Sequence, residues 1–411
     1  MMKIVIFAFL YLLFHNGDAA FTYGLENDLR TLLFTNNSYN KLTRPNAQVS
    51  VSAKFNILTL NSLSMRDQLM KMAGYFSLEW TDARLNWTAD AAYSSDILVI
   101  YTTQDYVWVP SLSVTNSVDE LAVISDDTVI IRVINDGTLT WTPGGVYETQ
   151  CSTDVTYYPF DEQECDIVLT TWGYTNVEIN LVGNGVDLSY YEPDGEWEFL
   201  SYSVTSTTRT AGASSLPQIT FAMKYRRRPT YQVMNTILPL MLLGFLNCFV
   251  FQLPADSGEK MGYSLTTLLA FAVYLTIVSA DTPTTSLHTP VLSVYLITML
   301  SMGVVAILLT IFVLKCHFST EDQPIPKYIR RICSIAKKLE RNHCCKKSEV
   351  VDEIENDKKG NKGSPRKAFK PELSWPEVTT ALDKFFFKVY TIIFLLLTFV
   401  VLFVFVIHYY T

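Results

Sequence analysis

The residues with the clearest chemical potential lie in one apolar segment, PADSGEKMGYSLTTLLAFAVYLTIVSADTP, which is charged at both ends and uncharged between them. Steps of three and four residues along this segment select a single helical face. That face comprises Glu259, Gly262, Thr266, Leu269, Val273, Thr276, Ile277 and Ala280. In a helix, Glu259 and Asp281 would lie roughly 33 Å apart, which is close to the thickness of a bilayer core. The segment is therefore predicted to cross a membrane.

One such helix cannot enclose a pore, but several copies around an axis can. The rings would then be Asp256 and Glu259 at one mouth, Thr266, Leu269 and Val273 within, and Asp281 at the other mouth. Carboxylate rings concentrate cations, and apolar rings can close a pore by excluding water. Spacing alone leaves two other interpretations open: Leu269 and Val273 as helix-packing residues, and Glu259 as an interfacial charge beside Lys260.

The elements around this helix follow from hydropathy, because 49% of the 411 residues are hydrophobic. Residues 1–20 have one lysine, an apolar run and small residues at their end, which predicts a secretory signal peptide. Four later segments are long and apolar enough to cross a bilayer. They are residues 231–253, 261–280, 290–315 and 385–408.

The excess of Lys and Arg in residues 316–384 places this segment in the cytoplasm by the positive-inside rule. The signal peptide places residues 21–228 outside the cell, and four crossings return the C-terminus to the outside, so residues 385–411 comprise the fourth span and an extracellular C-terminus. Residues 229–315 hold spans one to three. Within the cytoplasmic segment, PKYIRRICSIAKKL predicts an amphipathic helix at the membrane surface, and WPEVTTALDKFFF a helix that runs into the fourth span. Lipidation of Cys333, Cys344 or Cys345 is left open.

Residues 21–228 alternate apolar and polar side chains in short runs separated by turns such as NDG and TPGG. This pattern is typical of an antiparallel β-sandwich, and residues 25–34 have helical spacing instead. The predicted fold class is an α+β multidomain membrane protein, with an extracellular sandwich and N-terminal helix followed by a four-helix transmembrane bundle. Glycosylation signals at Asn36 and Asn86 agree with an extracellular location.

Two cysteines, Cys151 and Cys165, enclose the stretch STDVTYYPFDEQE in the extracellular part. A cysteine pair in an oxidising compartment is expected to form a disulfide. Closing a loop of this size contributes about 3 kcal/mol in the chain-entropy treatment. The bond would also hold Pro159, Phe160 and Asp161 in a fixed turn. A purely structural role for the bond is the alternative.

An enzyme is not expected. None of the five histidines has an acid, nucleophile or metal-binding partner nearby in the sequence. We therefore predict no catalytic residues, no cofactor and no metal site, and no nucleic-acid partner.

Several motifs together resemble one family. They are the thirteen residues between Cys151 and Cys165 with a Tyr-Pro-Phe-Asp turn, PADSGEK before the second span, residues 226–228 (Arg-Arg-Arg), Pro239, the Trp80-Thr81-Asp82 triplet with Trp87, and Ala381-Leu382-Asp383-Lys384. The chain resembles the Cys-loop pentameric ligand-gated channels of the nicotinic branch. The resemblance implies assembly with four further subunits of the same or a related type. It also implies a small-molecule agonist at the subunit interfaces, and second spans that line a pore within membrane lipids.

The resemblance also assigns roles to single residues. GEK at residues 258–260 is similar to cation-selective members, so permeant cations are expected, and Asp119 resembles an acid of the outer vestibule. In the family the loop closed by the disulfide lies against the linker after the second span, here residues 282–289 with Pro283. Phe160 would then pack into the membrane domain, and Asp161 would pair with Arg227.

The agonist site departs from the family pattern. Trp172 matches the main tryptophan of the aromatic cage that holds acetylcholine, and Tyr75 falls where the complementary face usually has tryptophan. Where the family has further aromatics or an acid, this chain has Thr115, Arg209, Leu216 and Ser111. Residues 205–217 correspond to the family's mobile loop, and they lack its adjacent cysteine pair. We therefore expect a cation-selective ligand-gated channel subunit that, as a homopentamer, acetylcholine activates poorly. An accessory, non-alpha-type subunit of an acetylcholine-gated heteropentamer is the alternative. For Trp172 and Tyr75, core packing is the competing interpretation.

Overall fold

The computed structural model describes residues 21–119, 121–212, 214–281, 289–319, 325–341 and 374–410. The predicted signal peptide, Pro283, Cys344 and Cys345 lie outside these ranges. The chain divides into two compact units. The first, the sandwich unit, holds the described residues up to Asp154 together with those of Asp161–Arg228. The second, the membrane unit, holds Val155–Phe160 together with the described residues from Pro229 onwards.

The sandwich unit has eleven strands in its described residues. They are β1 (Val49–Ser64), β2 (Leu69–Thr81), β3 (Val99–Thr102), β4 (Leu112–Val114), β5 (Ile131–Ile134), β6 (Thr138–Trp141), β7 (Gly144–Gln150), β8 (Glu162–Thr171), β9 (Ile179–Asp187), β10 (Trp197–Ala211) and β11 (Ser214–Arg227). One sheet runs β3-β5-β6-β2-β1-β9, with β7 also paired to β2. The other runs β10-β11-β8-β4.

Alternation of apolar and polar residues explains the core of the sandwich. Along β2, buried and partly buried positions alternate, as a strand with one face on the core requires. Phe55 of β1 and Phe76 of β2 pack ring against ring at 4.9 Å, and Phe76 contacts Phe221 of the other sheet at 5.9 Å. These three buried aromatic side chains join the two sheets.

Two details of the sandwich differ from the sequence prediction. The pair β1–β9 is parallel, because the chain leaves β8 in one sheet and enters the other sheet beside β1. Residues 205–217, expected to be a loop, belong almost entirely to the β10–β11 hairpin, with Ala211 opposite Ser214. Both faces of β10 are exposed near this tip, so the strand has no apolar alternation to reveal it.

A helix precedes the strands, as the sequence predicts. Helix α1 (Tyr23–Arg30) begins with Thr22, whose side-chain oxygen accepts a hydrogen bond from Leu25 N at 3.2 Å. A π-helical turn, Thr31–Asn36, continues it. The predicted glycosylation residues Asn36 and Asn86 are both exposed.

In its described residues, the membrane unit has four helical segments long and apolar enough to cross a bilayer. The first span is Thr230–Gln252 and the third is Val291–His317. The second span is the helix Lys260–Asp281, and the fourth lies within the continuous helix Trp375–Tyr410. A π-helical turn, Val233–Ile237, interrupts the first span just before Pro239, which lacks the N–H that a regular helix needs there. The predicted sandwich, N-terminal helix and four spans are confirmed.

The basic segment after the third span is helical from Lys327 to Arg341. One face of this helix is buried in an apolar cluster with the third span and the start of the helix Trp375–Tyr410, which holds the fourth span and is called the fourth helix below. The cluster comprises Val313, Cys316, Ile329, Cys333, Trp375, Val378, Ala381 and Leu382. Cys333 is only 1% exposed. Lipidation of its thiol would therefore require this face of the helix to leave the cluster.

Candidate functional site

The predicted pore face of the second span is exposed in the part of the membrane unit that the structure describes. All of its residues, from Glu259 through Leu269 and Val273 to Ala280, are exposed. Leu269 is 65% and Val273 is 50% exposed. The opposite face is buried, through Lys260, Ser264, Thr267, Phe271 and Val278. Packing within the subunit therefore does not account for the apolar residues of the stripe.

Local geometry aims Glu259 along this stripe. Gly258 adopts a left-handed backbone with φ of 70°, which turns the chain into the helix. A Cβ built on Gly262 would lie 3.9 Å from Glu259 Oε2, so the carboxylate extends over a position that has no side chain. A carboxylate before the first turn is favoured by the helix dipole.

The other predicted ring residues are placed less uniformly. The hydroxyls of Thr266 and Thr276 donate to the carbonyl oxygens of Tyr263 and Val273, and both side chains remain exposed. Asp256 Oδ1 lies 2.7 Å from Nε2 of His317, at the end of the third span. The backbone of Asp281 ends the helix, and its side chain is outside the described residues.

The disulfide loop contains a buried ion pair. Cys151 and Cys165 form the predicted disulfide. Arg227 Nε donates to Asp161 Oδ1 at 2.9 Å and Arg227 Nη2 to Oδ2 at 3.3 Å. The side chains are 4% and 1% exposed. The predicted contact between Asp161 and Arg227 is therefore present, and both ends of the pair belong to the sandwich unit.

Sequence reasoning missed the residues that complete this pair. Arg227 Nη1 also donates to Glu196 Oε1, and the guanidinium carbon lies 4.2 Å from the ring centroid of Trp197. Gln163 Nε2 donates to Asp161 Oδ2 at 2.7 Å. Glu196 and Trp197 are adjacent in the sequence, where an acid and an aromatic residue could together hold a cation. Nothing in the sequence indicated that the cation is the guanidinium of Arg227.

A neighbouring carboxylate is held ionised next to this site. Hydrogen bonds from Lys224, opposed by desolvation, and then from Arg226 lower the pKa of Glu162 below its ordinary value. The distances are 2.7 Å to Lys224 Nζ and 2.6 Å to Arg226 Nη2. Glu162 directly follows Asp161, so consecutive acids of the loop pair with basic residues of β11.

The tip of the disulfide loop, Val155–Phe160, belongs to the membrane unit. Phe160 packs against Phe405 at 5.2 Å and Tyr409 at 5.9 Å, near the end of the fourth helix. The ring of Tyr157 stacks on His408 at 3.7 Å, and Val291 N donates to Thr156 O at 2.9 Å. Phe160 thus contacts the membrane unit as expected, but through the fourth helix, which the sequence did not indicate.

The predicted agonist residues of the β10-β11-β8-β4 sheet lie in one row across its end. Arg209 is paired with Leu216 across the β10–β11 hairpin. The ladder between β11 and β8 ends at the pair Gln218–Thr170, two residues from Leu216 on β11 and two residues from Trp172, which follows β8. Trp172 N donates to Ser111 O at 2.9 Å. Trp172 is 48% exposed, so it is a surface residue of this row and core packing does not explain it.

The remaining predicted site residues lie elsewhere. Tyr75 is on β2 of the other sheet, opposite Gly144 and partly buried. Thr115 follows β4, and its N–H donates to Val168 O at 2.9 Å. Asp119 is exposed in the segment after it. Tyr75 and the row of Arg209, Leu216 and Trp172 lie on different sheets, so strand pairing does not bring them together in one cage. Tyr75 therefore belongs to a second face of the sandwich unit.

Comparison with known proteins identifies both units. Residues 26–229 match the family description "Neurotransmitter-gated ion-channel ligand binding domain", and residues 236–370 match "Neurotransmitter-gated ion-channel transmembrane region". The human neuronal acetylcholine receptor subunit alpha-4 is 32% identical over 316 residues, which is 75% of this chain and 50% of that protein.

Two further relatives agree. The human neuronal acetylcholine receptor subunit beta-3 is 30% identical over 329 residues, 78% of this chain and 71% of that protein. The chicken subunit alpha-2 is 30% identical over 314 residues, 74% of this chain and 58% of that protein. The chain spans about half the length of the alpha-4 relatives. These relatives are receptor subunits rather than enzymes, in agreement with the sequence prediction. The chain belongs to the neurotransmitter-gated (Cys-loop) ion-channel family, in its nicotinic acetylcholine receptor-like branch, as a multi-pass protein of the plasma membrane.

Proposed function

We propose that the chain is a subunit of a pentameric, cation-selective, ligand-gated channel. The observation that carries this proposal is the exposed stripe of the second span, which begins at Glu259 and continues through Leu269 and Val273. Around a five-fold axis this stripe gives a carboxylate ring at the cytoplasmic mouth and apolar rings that exclude water when narrow. Both chain ends and the sandwich unit lie outside the cell, and residues 316–384 lie in the cytoplasm.

The disulfide loop couples agonist binding to the pore in this proposal. Its base carries the buried Asp161–Arg227 pair of the sandwich unit, and its tip packs on Phe405 and Tyr409 of the membrane unit. A loop closed by a disulfide transmits displacement better than an open one because its ends cannot separate.

The test of the pore assignment is Glu259→Gln. Removing one carboxylate per subunit from the mouth is expected to lower single-channel cation conductance by about twofold or more. Single-channel recording in symmetrical sodium chloride measures it, and reversal potentials in a salt gradient measure selectivity. Glu377→Gln is the matched control, since it removes an exposed acid of the same unit away from the stripe. Equal conductance in both variants and the parent would count against the pore assignment.

The residues at the agonist site disfavour a cationic ligand. Trp172 is the surface aromatic of the row, and next to it the row presents Leu216 and Arg209. Each aromatic face that contacts a desolvated cation contributes about 1 to 2 kcal/mol to its binding. Losing three such faces therefore lowers the affinity for acetylcholine by a hundredfold or more, on the order of 3 kcal/mol. Arg209 adds repulsion. We infer that acetylcholine is a poor agonist of the homopentamer.

One observation favours an accessory role in a heteropentamer as the second candidate. Tyr75, on the other sheet, supplies an aromatic to a second face, whereas the row with Arg209 is unsuited to a cationic ligand. A subunit of this kind contributes a complementary face to an acetylcholine-binding neighbour.

Expression alone and with a partner separates the two candidates. We expect no robust acetylcholine current at micromolar concentration from oocytes that express the chain alone. The triple variant Thr115→Tyr, Arg209→Tyr and Leu216→Tyr should gain sensitivity. Co-expression with the human alpha-4 subunit tests the accessory role, which predicts a current whose conductance changes with Glu259→Gln in this chain. A large acetylcholine current from the unmodified chain alone would refute the inference about the agonist.

A further inference from the structure

The acid that would attract cations at the pore mouth is followed directly by a base. Glu259 and Lys260 are adjacent in the sequence, so a lysine at the same mouth would cancel the carboxylate charge in each subunit. Exposed charges this close interact well within the screening length of about 8 Å at physiological ionic strength. A selectivity ring built on Glu259 therefore requires that the charge of Lys260 be compensated elsewhere.

The structure places Lys260 on the other side of the helix. Successive residues differ by about 100° around a helix, and this step takes Lys260 from the exposed face to the buried one. Its side chain is only 1% exposed, and Nζ lies 2.6 Å from Asp383 Oδ1. Lys260 thus shares the buried face of the second span with Ser264 and Thr267.

Asp383 is a largely buried acid in contact with Lys260. Its side chain is 13% exposed, and it lies in the fourth helix, 123 residues from Lys260 in the chain. Among described residues close by, Asp256 is engaged by His317. A buried ammonium without a compensating charge is strongly disfavoured, so the carboxylate of Asp383 is what keeps a charged lysine in this position.

We propose that Asp383 is a positioning residue for ion conduction: by pairing with Lys260 in the interior of the subunit, it leaves Glu259 as the net charge at the pore mouth. The proposal rests on the proposed channel function. It assigns to the fourth helix, which has no residue on the predicted pore stripe, control over the electrostatics of permeation. Without Asp383, Lys260 either stays as an uncompensated cation beside the mouth or extends its long side chain to water next to Glu259.

Three variants test the sign of this effect. Asp383→Asn is expected to lower single-channel cation conductance by about twofold or more, as an added positive charge near the mouth should. Lys260→Gln removes the base and should leave conductance at or above the parent value. The double variant Lys260→Gln/Asp383→Asn should return conductance to near the parent value. Recording in a Leu269→Ser background, where we expect the pore to conduct without agonist, makes the comparison independent of the agonist.

A merely structural role for the pair gives a different pattern. Loss of packing alone lowers the number of channels at the surface, measured by surface biotinylation, without changing the conductance of each channel. Unchanged conductance in Asp383→Asn, or a double variant as low as Asp383→Asn, would overturn the proposal. If Asp383→Asn alone does not reach the surface, its co-expression at low RNA dose with the parent chain should give channels with an added lower conductance level. Only the parental level in that experiment would also overturn it.

Failure of the proposed function gives a third result. If Glu259→Gln leaves conductance unchanged, the pore assignment fails first, whatever the Asp383 variants do. If Glu259→Gln lowers conductance and Asp383→Asn does not, the pore assignment stands and only the positioning role of Asp383 is wrong.

Discussion

Replacing Leu269 by serine is expected to produce a standing cation current in cells that express the chain without any added agonist. Leu269 is 65% exposed in the subunit and lies on the stripe that begins at Glu259. In the proposed assembly its side chains form a ring that excludes water when the pore is closed. A hydroxyl in each subunit hydrates this ring, and the closed state then loses its barrier to ions.

The measurement is the holding current at negative voltage, with external sodium replaced by a large organic cation to isolate the component that flows through the pore. We expect a current about tenfold above that of the parent chain, since dewetting is a steep function of the polarity of a narrow ring. Adding Glu259→Gln to the same background should reduce it, which places both residues on one permeation path.

Leu308→Ser is the matched control for this experiment. Leu308 belongs to the third span and is 60% exposed, so the substitution has nearly the same local environment within a subunit. The two leucines differ in their helix and not in their burial. Equal holding currents in the two variants at equal surface expression would show that Leu269 forms no gate.

The elements of this fold could be predicted where local periodicity decides them. Apolar runs of about 20 residues have few alternatives to a membrane span, and the alternation in β2 is visible because one face meets the core. The disulfide followed from the two cysteines and the compartment. The strands at the β10–β11 tip were not predicted, because their residues are exposed on both faces. The two strands there are held by pairing with each other and not by packing on the core.

The partners across the fold could not be predicted in the same way. A periodic pattern identifies the face of a helix or strand but not the residue that this face meets. Lys260 pairs with Asp383 over 123 positions, and Arg227 reaches Glu196 across β10 and β11. The contact of Phe160 with Phe405 is of the same kind. The two ion pairs decide where charge is neutralised. The electrostatics of the pore mouth and of the disulfide loop therefore follow from the structure and not from the sequence pattern.

The buried pair in the disulfide loop leads to the largest stability effect that we expect. Asp161→Asn removes one charge of a pair whose partner, Arg227, is 4% exposed. Breaking a buried pair in this way lowers the free energy of unfolding of the sandwich unit by about 3 to 5 kcal/mol. For a unit of this size, that corresponds to a fall in melting temperature on the order of 10 °C. Tryptophan fluorescence of the detergent-solubilised protein measures it, since six of the seven tryptophans lie in the sandwich unit.

Glu196→Gln is the control, because it acts on the same guanidinium from a side chain that is 54% exposed. We expect it to cost no more than about 1 kcal/mol, since a carboxylate in contact with water adds little to an ion pair. The double variant Asp161→Asn/Arg227→Gln should be less destabilised than the two single changes together, because neither charge is then left alone in the interior. Similar melting temperatures for Asp161→Asn and Glu196→Gln would mean that burial does not govern this pair, and that the base of the disulfide loop is held by the disulfide and the β-ladder instead.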